Sequence, residues 1–104
     1  MPKGYAIFTE KVHDQAALDA YSRLALPTVS AAGGKVIVAG PPAGLIEGNW
    51  HGDRTVIIEF ESVEAAREWY NSAQYQAVIS QRHAAADSNA MIIGGFELPG
   101  RSSA

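Results

Sequence analysis

The chain has 104 residues, of which 8 are basic and 11 acidic, for a net charge of −3, and it contains no cysteine. This length predicts one domain, and the lack of cysteine excludes disulfides, thiolate metal sites and a cysteine nucleophile. The charged residues are scattered, so no basic patch offers a footprint for a nucleic acid. The chain shows no signal-peptide pattern and no apolar run near the ~20 residues of a membrane span. We therefore expect a cytoplasmic protein that contacts neither nucleic acid nor membrane.

The periodicity of apolar residues predicts four strands and three helical segments. Strands are indicated where aromatic and β-branched residues cluster, and helices where apolar residues recur every three or four positions. In chain order these are a strand from residue 5 toward 12, a helix after Asp14, strands at 35–39 and 54–60, a helix after Ser62, a helix at about 73–86 after Ser72, a stop at 87–89 and a strand at 90–98. Residues 1–98 are thus predicted to form the domain, and residues 99–104 a polar tail.

Pro27 marks the expected end of the first helix. Proline has no amide hydrogen to donate to the carbonyl of Arg23, so the helix is expected to kink or stop near Leu26. Whether residues 28–32 add another turn is left open at this point.

The order of elements predicts a fold and an assembly. The order β-α-β-β-α-β, with the second helix split in two, is typical of a ferredoxin-like α+β fold with an antiparallel sheet and its helices on one face. A sheet with one solvated face would alternate apolar and polar residues, but the segments 36–38, 56–58 and 91–93 are apolar throughout. Because soluble monomers avoid large exposed apolar patches, the sequence predicts a homodimer whose two sheets pack face to face.

Several motifs also make the chain similar to a known family. These are Ala32-Gly33-Gly34-Lys35, Glu47-Gly48-Asn49-Trp50, Val56-Ile57-Ile58-Glu59-Phe60, Glu64-Ala65-Ala66, the segment from Trp69 to Tyr75, and Arg82. With them the chain resembles domain-of-unknown-function family 1330, within the dimeric α/β-barrel superfamily, to about Phe96. The resemblance implies a ferredoxin-like protomer and a face-to-face homodimer, and no established activity. Superfamily relatives include cofactor-free monooxygenases, lactone isomerases and haem enzymes, so the resemblance does not select a reaction.

Arg82 is the unusual residue of the third predicted helix, because it falls at the centre of that helix's apolar arc. A guanidinium there must find a carboxylate, carbonyls, a ligand anion or water. One interpretation is structural: Arg82 reaches water or pairs with a carboxylate such as Glu59. The other is a clamp for an anion or carbonyl group, with the Tyr75 hydroxyl beside it. A helix that ends before Arg82 is the third interpretation left open.

Three more side chains are candidates for a site. Trp69 lies in the middle of its helix's apolar face and is expected in the core or in the wall of a ligand pocket. His83, next to Arg82, is the candidate general base because imidazole titrates near neutral pH. Trp50 lies in the connection between the second and third strands, where we expect it to contact the partner subunit or cover a pocket. No histidine spacing matches a metal site, so neither metal nor cofactor is expected.

Two functional hypotheses follow. The first is a homodimeric small-molecule-binding protein, acting without a cofactor on a small organic acid or carbonyl compound, in which Arg82, Tyr75 and Trp69 bind the substrate and His83 moves a proton. The second is a non-catalytic module, structural or ligand-binding, in which the same side chains serve the fold and the dimer. Convergence of Arg82 and His83 on a solvent-connected cavity favours the first, whereas saturation by partners within the chain favours the second.

Overall fold

A computed structural model describes residues 2–97; the predicted tail at 99–104 and the end of the last predicted strand lie outside this range. Residues 2–97 contain four strands and four helices: β1 (Gly4–Val12), α1 (Gln15–Ala31), β2 (Lys35–Gly40), β3 (Arg54–Phe60), α2 (Val63–Tyr70), α3 (Ala73–Gln76), α4 (Ile79–Ala85) and β4 (Ala86–Gly94). These strands form an antiparallel sheet in the order β2-β3-β1-β4. The predicted ferredoxin-like α+β fold is confirmed.

The core lies between the helices and one face of the sheet, and β1 is its central strand. Because strand side chains alternate between faces, Ala6, Phe8 and Glu10 all point into this core, where each is at most 3% exposed. Trp69 of α2 packs above them, with its ring centroid 6.2 Å from that of Phe8 and 5.4 Å from that of Phe60. The helices pack against one another and cover this first face of the sheet.

Of the two predicted effects of Pro27, a stop near Leu26 is wrong, since α1 continues to residue 31. Pro27 removes one helical hydrogen bond, but the turn that follows has compensating contacts. The Thr28 hydroxyl donates to the carbonyl of Ala25 at 2.6 Å, and Val29 is buried in the core with 3% of its surface exposed. Tertiary packing therefore outweighs the local signal of the proline.

Side chains cap three of the helices at the predicted places. A capping oxygen accepts a hydrogen bond from one of the backbone amides that have no partner in the first turn of a helix. The pairs are Asp14 with the amide of Ala17 at 3.0 Å, Ser62 with that of Ala65 at 3.0 Å, and Ser72 with that of Tyr75 at 3.2 Å.

The chain after Ser72 departs from the prediction in two places. The single helix expected at residues 73–86 is interrupted by a turn at residues 77–78, which separates α3 from α4. The helix ends at Ala85, just before the stop expected at residues 87–89, but these three residues do not separate it from the last strand, because β4 begins at Ala86 and includes them. Their backbone groups pair with the end of β1, which satisfies amides and carbonyls that a loop would leave to water.

The second face of the sheet carries no helix in the described part of the chain. Ile7 of β1 lies between Ile57 of β3 and Met91 of β4, which gives a continuous apolar row across three strands. Met91 is 57% exposed, Ile93 49% and Val38 43%. Of the two-sided apolar strands noted in the sequence, β3 and β4 thus turn one face toward the core and leave the other uncovered, whereas β2 is exposed on both faces.

Candidate functional site

A cavity of about 250 Å³ lies between α1 and the β2–β3 half of the sheet; we refer to it as the α1 cavity. Apolar and aromatic side chains form most of its wall, among them Phe8, Tyr21, Val29, Val36, Ile58 and Trp69. Two lining residues at its rim, Leu26 of α1 and Val36 of β2, are 50% and 36% exposed, so the cavity opens to solvent between these elements. An apolar cavity of about 150 Å³ can hold benzene, so this one has room for a ring with a few substituents.

Glu10 and Arg54 supply the charged groups of the cavity wall. Glu10 is 3% exposed, and its Oε1 lies 3.2 Å from Nε of Arg54. The two atoms are not aligned for a hydrogen bond, and neither has another hydrogen-bond partner among residues 2–97. Burial raises the pKa of the Glu10 carboxyl, an effect that the charges of Arg54 and Arg82 partly offset. The cavity therefore contains a buried acceptor and a buried donor that form an ion pair with each other but make no hydrogen bond.

The sheet register explains how these two side chains meet. Glu10 and Arg54 are directly opposed in the β1–β3 ladder, where side chains of facing residues lie on the same face. Glu10 was missed by the sequence reasoning, although the period of two along β1 places it on the same face as Ala6 and Phe8. A charged residue in a core-facing position of a strand was the signal that would have found it.

Arg82 lies behind the α1 cavity, and each nitrogen of its guanidinium group contacts another side chain of the same chain. It is 2% exposed, and its Nε donates to the Tyr75 hydroxyl at 3.2 Å. One of its terminal nitrogens donates to the Ser88 hydroxyl, and its guanidinium carbon lies 4.9 Å from the centroid of the Phe8 ring. It is absent from the cavity wall. These contacts within the chain favour a structural role for Arg82.

The pairing of Arg82 with Glu59 is wrong. Glu59 accepts a hydrogen bond from the Tyr5 hydroxyl at 3.1 Å and lies 3.9 Å from Nζ of Lys35. Its strand neighbours Ile58 and Phe60 are the core-facing residues, so alternation directs Glu59 to the second face of the sheet.

Tyr75 connects Arg82 to the cavity wall. Its side chain is fully buried and its hydroxyl lies 2.6 Å from that of Tyr21, which lines the cavity. Burial raises the pKa of Tyr21, so its hydroxyl stays protonated at neutral pH. Tyr75 is thus one hydrogen bond removed from the cavity.

Trp69 combines the two positions that were left open for it. It is 2% exposed in the core and also forms part of the cavity wall. Its indole N–H donates to the Thr28 hydroxyl at 2.9 Å, which fixes the ring against α1.

The structure does not bring His83 to the α1 cavity. His83 is exposed and borders a separate surface depression with Lys11, His13 and Asp87. Its Nε2 lies 3.5 Å from a terminal nitrogen of Arg82, so the two predicted partners are adjacent but do not face a shared cavity. Among residues 2–97 there is no group of three histidine or carboxylate side chains that could hold a metal ion.

The connection between β2 and β3 exposes apolar side chains. Ile46 is 97% exposed, Trp50 55% and Leu45 54%. The indole N–H of Trp50 donates to the hydroxyl of Thr55 at 3.1 Å, and Trp50 does not line the α1 cavity. A covering role over that cavity therefore has no support, and contact with a partner subunit stays a prediction.

The family model described as "Domain of unknown function (DUF1330)" matches residues 3–96. The chain belongs to this family. No curated protein matches this DUF1330 chain. None of its helices within residues 2–97 has the length and hydropathy needed to cross a membrane.

Solved structures with similar folds include proteins of unknown function and an enzyme. One is a protein of unknown function from Rhodopseudomonas palustris, with a TM-score of 0.76 and 23% identity over 93% of this chain and 85% of that one. Another is SnoaB, a cofactor-independent oxygenase from Streptomyces nogalater, with a TM-score of 0.70 and 10% identity over 97% and 100%. A third is a dimeric ferredoxin-like protein of unknown function from Jannaschia sp. CCS1, with a TM-score of 0.62 and 10% identity over 88% and 97%. At these identities the likeness shows the fold alone.

Proposed function

We propose that this DUF1330 protein binds a small organic molecule in the α1 cavity. The observation that carries the proposal is a solvent-connected cavity of about 250 Å³ with aromatic walls and the Glu10–Arg54 ion pair, whose Oε1 and Nε atoms make no hydrogen bond. Protein interiors are close-packed, and buried polar atoms without partners are costly. A ligand that fills the space and forms hydrogen bonds with these atoms removes both the packing cost and the cost of the unsatisfied polar atoms. The arrangement therefore lowers the stability of the empty protein but favours ligand binding.

We infer that the functional unit is a homodimer formed through the second face of the sheet. The apolar row of Ile57, Ile7 and Met91 lies on that face, and a second copy of the chain offers the same surface for an isologous contact. Proteins of the same fold are described as dimeric. The α1 cavity lies on the other face, so each protomer would carry its own site. The cytoplasmic location expected from the sequence stays a prediction.

We further propose that the protein acts on a carbonyl compound without a cofactor. A carboxylate with a raised pKa is a stronger base than a free glutamate, so Glu10 could accept a proton from the carbon next to a bound carbonyl group. The electron pair of that C–H bond would remain on the substrate as an enolate, whose oxygen the Arg54 guanidinium would stabilise. The roles of Arg82 and His83 in holding an oxyanion and moving a proton stay predictions, and the geometry supports Glu10 and Arg54 more directly because both line the cavity.

A non-catalytic module remains the second candidate, and one observation favours it. The guanidinium of Arg82 donates to Tyr75 and Ser88 and lies over the ring of Phe8. In that case the buried polar groups would serve the fold, and the cavity would bind a ligand without transforming it.

Two leucines of α1 provide a matched test. Leu26 lines the cavity and is 50% exposed, whereas Leu24 is 48% exposed and does not line it. We would extract the small molecules that co-purify with the wild-type protein, Leu26→Trp and Leu24→Trp, and identify them by mass spectrometry. We expect a molecule that is enriched with the wild type and Leu24→Trp and lost from Leu26→Trp. Equal recovery from both variants would contradict the α1 cavity as the site.

A further inference from the structure

The Glu10–Arg54 pair specifies the class of molecule that the α1 cavity takes. We infer that its ligand is a neutral hydroxyl compound, either an alcohol or phenol or the enol form of the carbonyl compound proposed above, on an apolar skeleton of one ring and a few carbons. This inference rests on the proposed function, because it names what is bound at that site.

The hydrogen-bonding capacity of the two side chains favours a hydroxyl group on the ligand. Oε1 of Glu10 is an acceptor and Nε of Arg54 is a donor; they are 3.2 Å apart, and neither has a hydrogen-bond partner among residues 2–97. A hydroxyl group is both donor and acceptor, so one ligand oxygen can donate to Glu10 while it accepts from Arg54. A carboxylate can only accept and an ammonium can only donate, so either would leave one of the two buried atoms without a partner.

The charge balance of the site favours a neutral ligand. Glu10 and Arg54 are oppositely charged and adjacent. The next charged groups that act on Glu10 are Arg82 and Asp53, which are also opposite in sign. An ionised ligand would therefore add an uncompensated charge to a buried environment, which is unfavourable. The organic acid expected from the sequence depended on Arg82 as a clamp, and Arg82 is absent from the cavity wall.

The walls and the volume of the cavity favour a small apolar skeleton. Apart from the charged pair, the lining side chains include the rings of Phe8 and Trp69 and the side chain of Val56. These surfaces favour apolar skeletons. A volume of about 250 Å³ exceeds that of a cavity that holds benzene but is smaller than pockets for drug-sized molecules, which begin near ~300 Å³.

Four probes with one skeleton test the inference by calorimetric titration at pH 7: 4-ethylphenol, ethylbenzene, 4-ethylbenzoate and 4-ethylbenzylamine. We expect 4-ethylphenol to bind wild-type protein about tenfold more tightly than ethylbenzene, the gain of a hydrogen bond to charged partners. We expect both ions to bind more weakly than ethylbenzene. If 4-ethylbenzoate binds as tightly as 4-ethylphenol, or ethylbenzene does, the hydroxyl inference is overturned although the cavity is still a ligand site. If none of the four binds, the proposed function falls with it.

Glu10→Gln provides a second readout. Without the carboxylate charge, the positive charge of Arg54 is unbalanced, so the ratio of 4-ethylbenzoate to 4-ethylphenol affinity should rise at least about tenfold. Glu59→Gln is the matched control, because Glu59 does not line the cavity, and it should leave this affinity ratio unchanged. An unchanged ratio of 4-ethylbenzoate to 4-ethylphenol affinity in a folded Glu10→Gln protein would overturn the inference. If that variant does not fold, the order measured on the wild type alone decides.

Discussion

The hydroxyl oxygens of Tyr21 and Tyr75 lie 2.6 Å apart in the core, although the two residues are 54 positions apart in the chain. Tyr75 also accepts a hydrogen bond from Nε of Arg82 at 3.2 Å. Tyr75 is therefore the central member of a buried polar chain that runs from the cavity wall to the guanidinium, and the two tyrosines should respond differently to loss of the hydroxyl.

Tyr75→Phe should destabilise the protein more than Tyr21→Phe. Tyr21→Phe leaves Tyr75 bonded to Arg82, so we expect a loss of about 1 kcal/mol. Tyr75→Phe leaves both the Tyr21 hydroxyl and the buried Nε of Arg82 without their partner, and each unsatisfied group costs about 1–3 kcal/mol. Urea unfolding followed by circular dichroism measures both, and the double variant gives the coupling energy. Equal losses from the two single variants would show that Arg82 does not depend on Tyr75.

The Thr28 hydroxyl gives a second stability prediction. It accepts from the indole N–H of Trp69 at 2.9 Å and donates to the carbonyl of Ala25 at 2.6 Å. Thr28→Val keeps the shape but leaves the buried N–H without an acceptor, which should reduce the free energy of unfolding by about 1–3 kcal/mol. Thr28→Ser retains the hydroxyl and is the control. A urea midpoint of Thr28→Val no lower than that of Thr28→Ser would show that the hydrogen bond from Trp69 contributes no more to stability than the methyl group of Thr28.

The fold was predictable because its signals are local. Capping side chains, strand composition and the order of elements each depend on neighbours within a few residues, and they place β3 correctly from Arg54 to Phe60. The errors arose where distant contacts decide. Packing of Val29 carries α1 past Pro27, and pairing with β1 makes residues 87–89 part of a strand.

The site was only partly predictable, because contacts between residues distant in the sequence decide its geometry too. Arg82 was recognisable as a charge on an apolar face, but its partners Tyr75 and Ser88 depend on how α3, α4 and β4 pack. Glu10 carried a usable local signal, since Phe8 and Glu10 alternate onto the same face of β1. The same alternation rule, applied to β3, excludes Glu59 from the core.

The second face of the sheet predicts the assembly state. Met91 is 57% exposed and lies beside Ile7 in the apolar row. Met91→Lys would bring two ammonium groups into the proposed interface, where burial of charge opposes association. We expect a dimer mass for the wild type at micromolar concentration by light scattering, and a monomer mass for Met91→Lys. Leu24→Lys, on the exposed side of α1, is the control and should remain dimeric. A wild-type monomer would contradict the homodimer.

The buried Glu10 carboxyl predicts a pH dependence. Its pKa in the folded protein is raised above the ordinary value of 4.5, first by burial. Between these two values the folded protein holds a proton that the unfolded chain has released, so this carboxyl's contribution to stability falls as the pH rises through the window. Glu10→Gln does not titrate. The stability of this variant relative to wild type, from urea unfolding at intervals from about pH 4 to pH 8, should therefore increase with pH and then level off. A difference that decreases with pH would contradict the raised pKa.

Two glycines in the connection between β2 and β3 provide the last comparison. Gly48 and Gly52 have φ of +78° and +79°, a region that disfavours any residue with a Cβ. A Cβ on Gly48 would meet no atom within 4 Å, whereas one on Gly52 would overlap the backbone carbonyl of Glu10. Gly48→Ala should therefore cost only the conformational strain, about 1–2 kcal/mol. Gly52→Ala should cost more, because it also displaces the strand that holds Glu10.

The same pair tests whether the backbone of this connection positions the candidate site. The amide of Asp53 donates to the carbonyl of Glu10 at 2.9 Å, so a displacement caused by Gly52→Ala acts on the residue that lines the cavity. We expect Gly52→Ala to weaken binding of 4-ethylphenol relative to ethylbenzene, because the contact that is lost is the one with the Glu10 carboxylate. Gly48→Ala should leave that ratio unchanged. If both variants bind the two probes alike, the close approach of Gly52 stabilises the sheet edge without positioning Glu10.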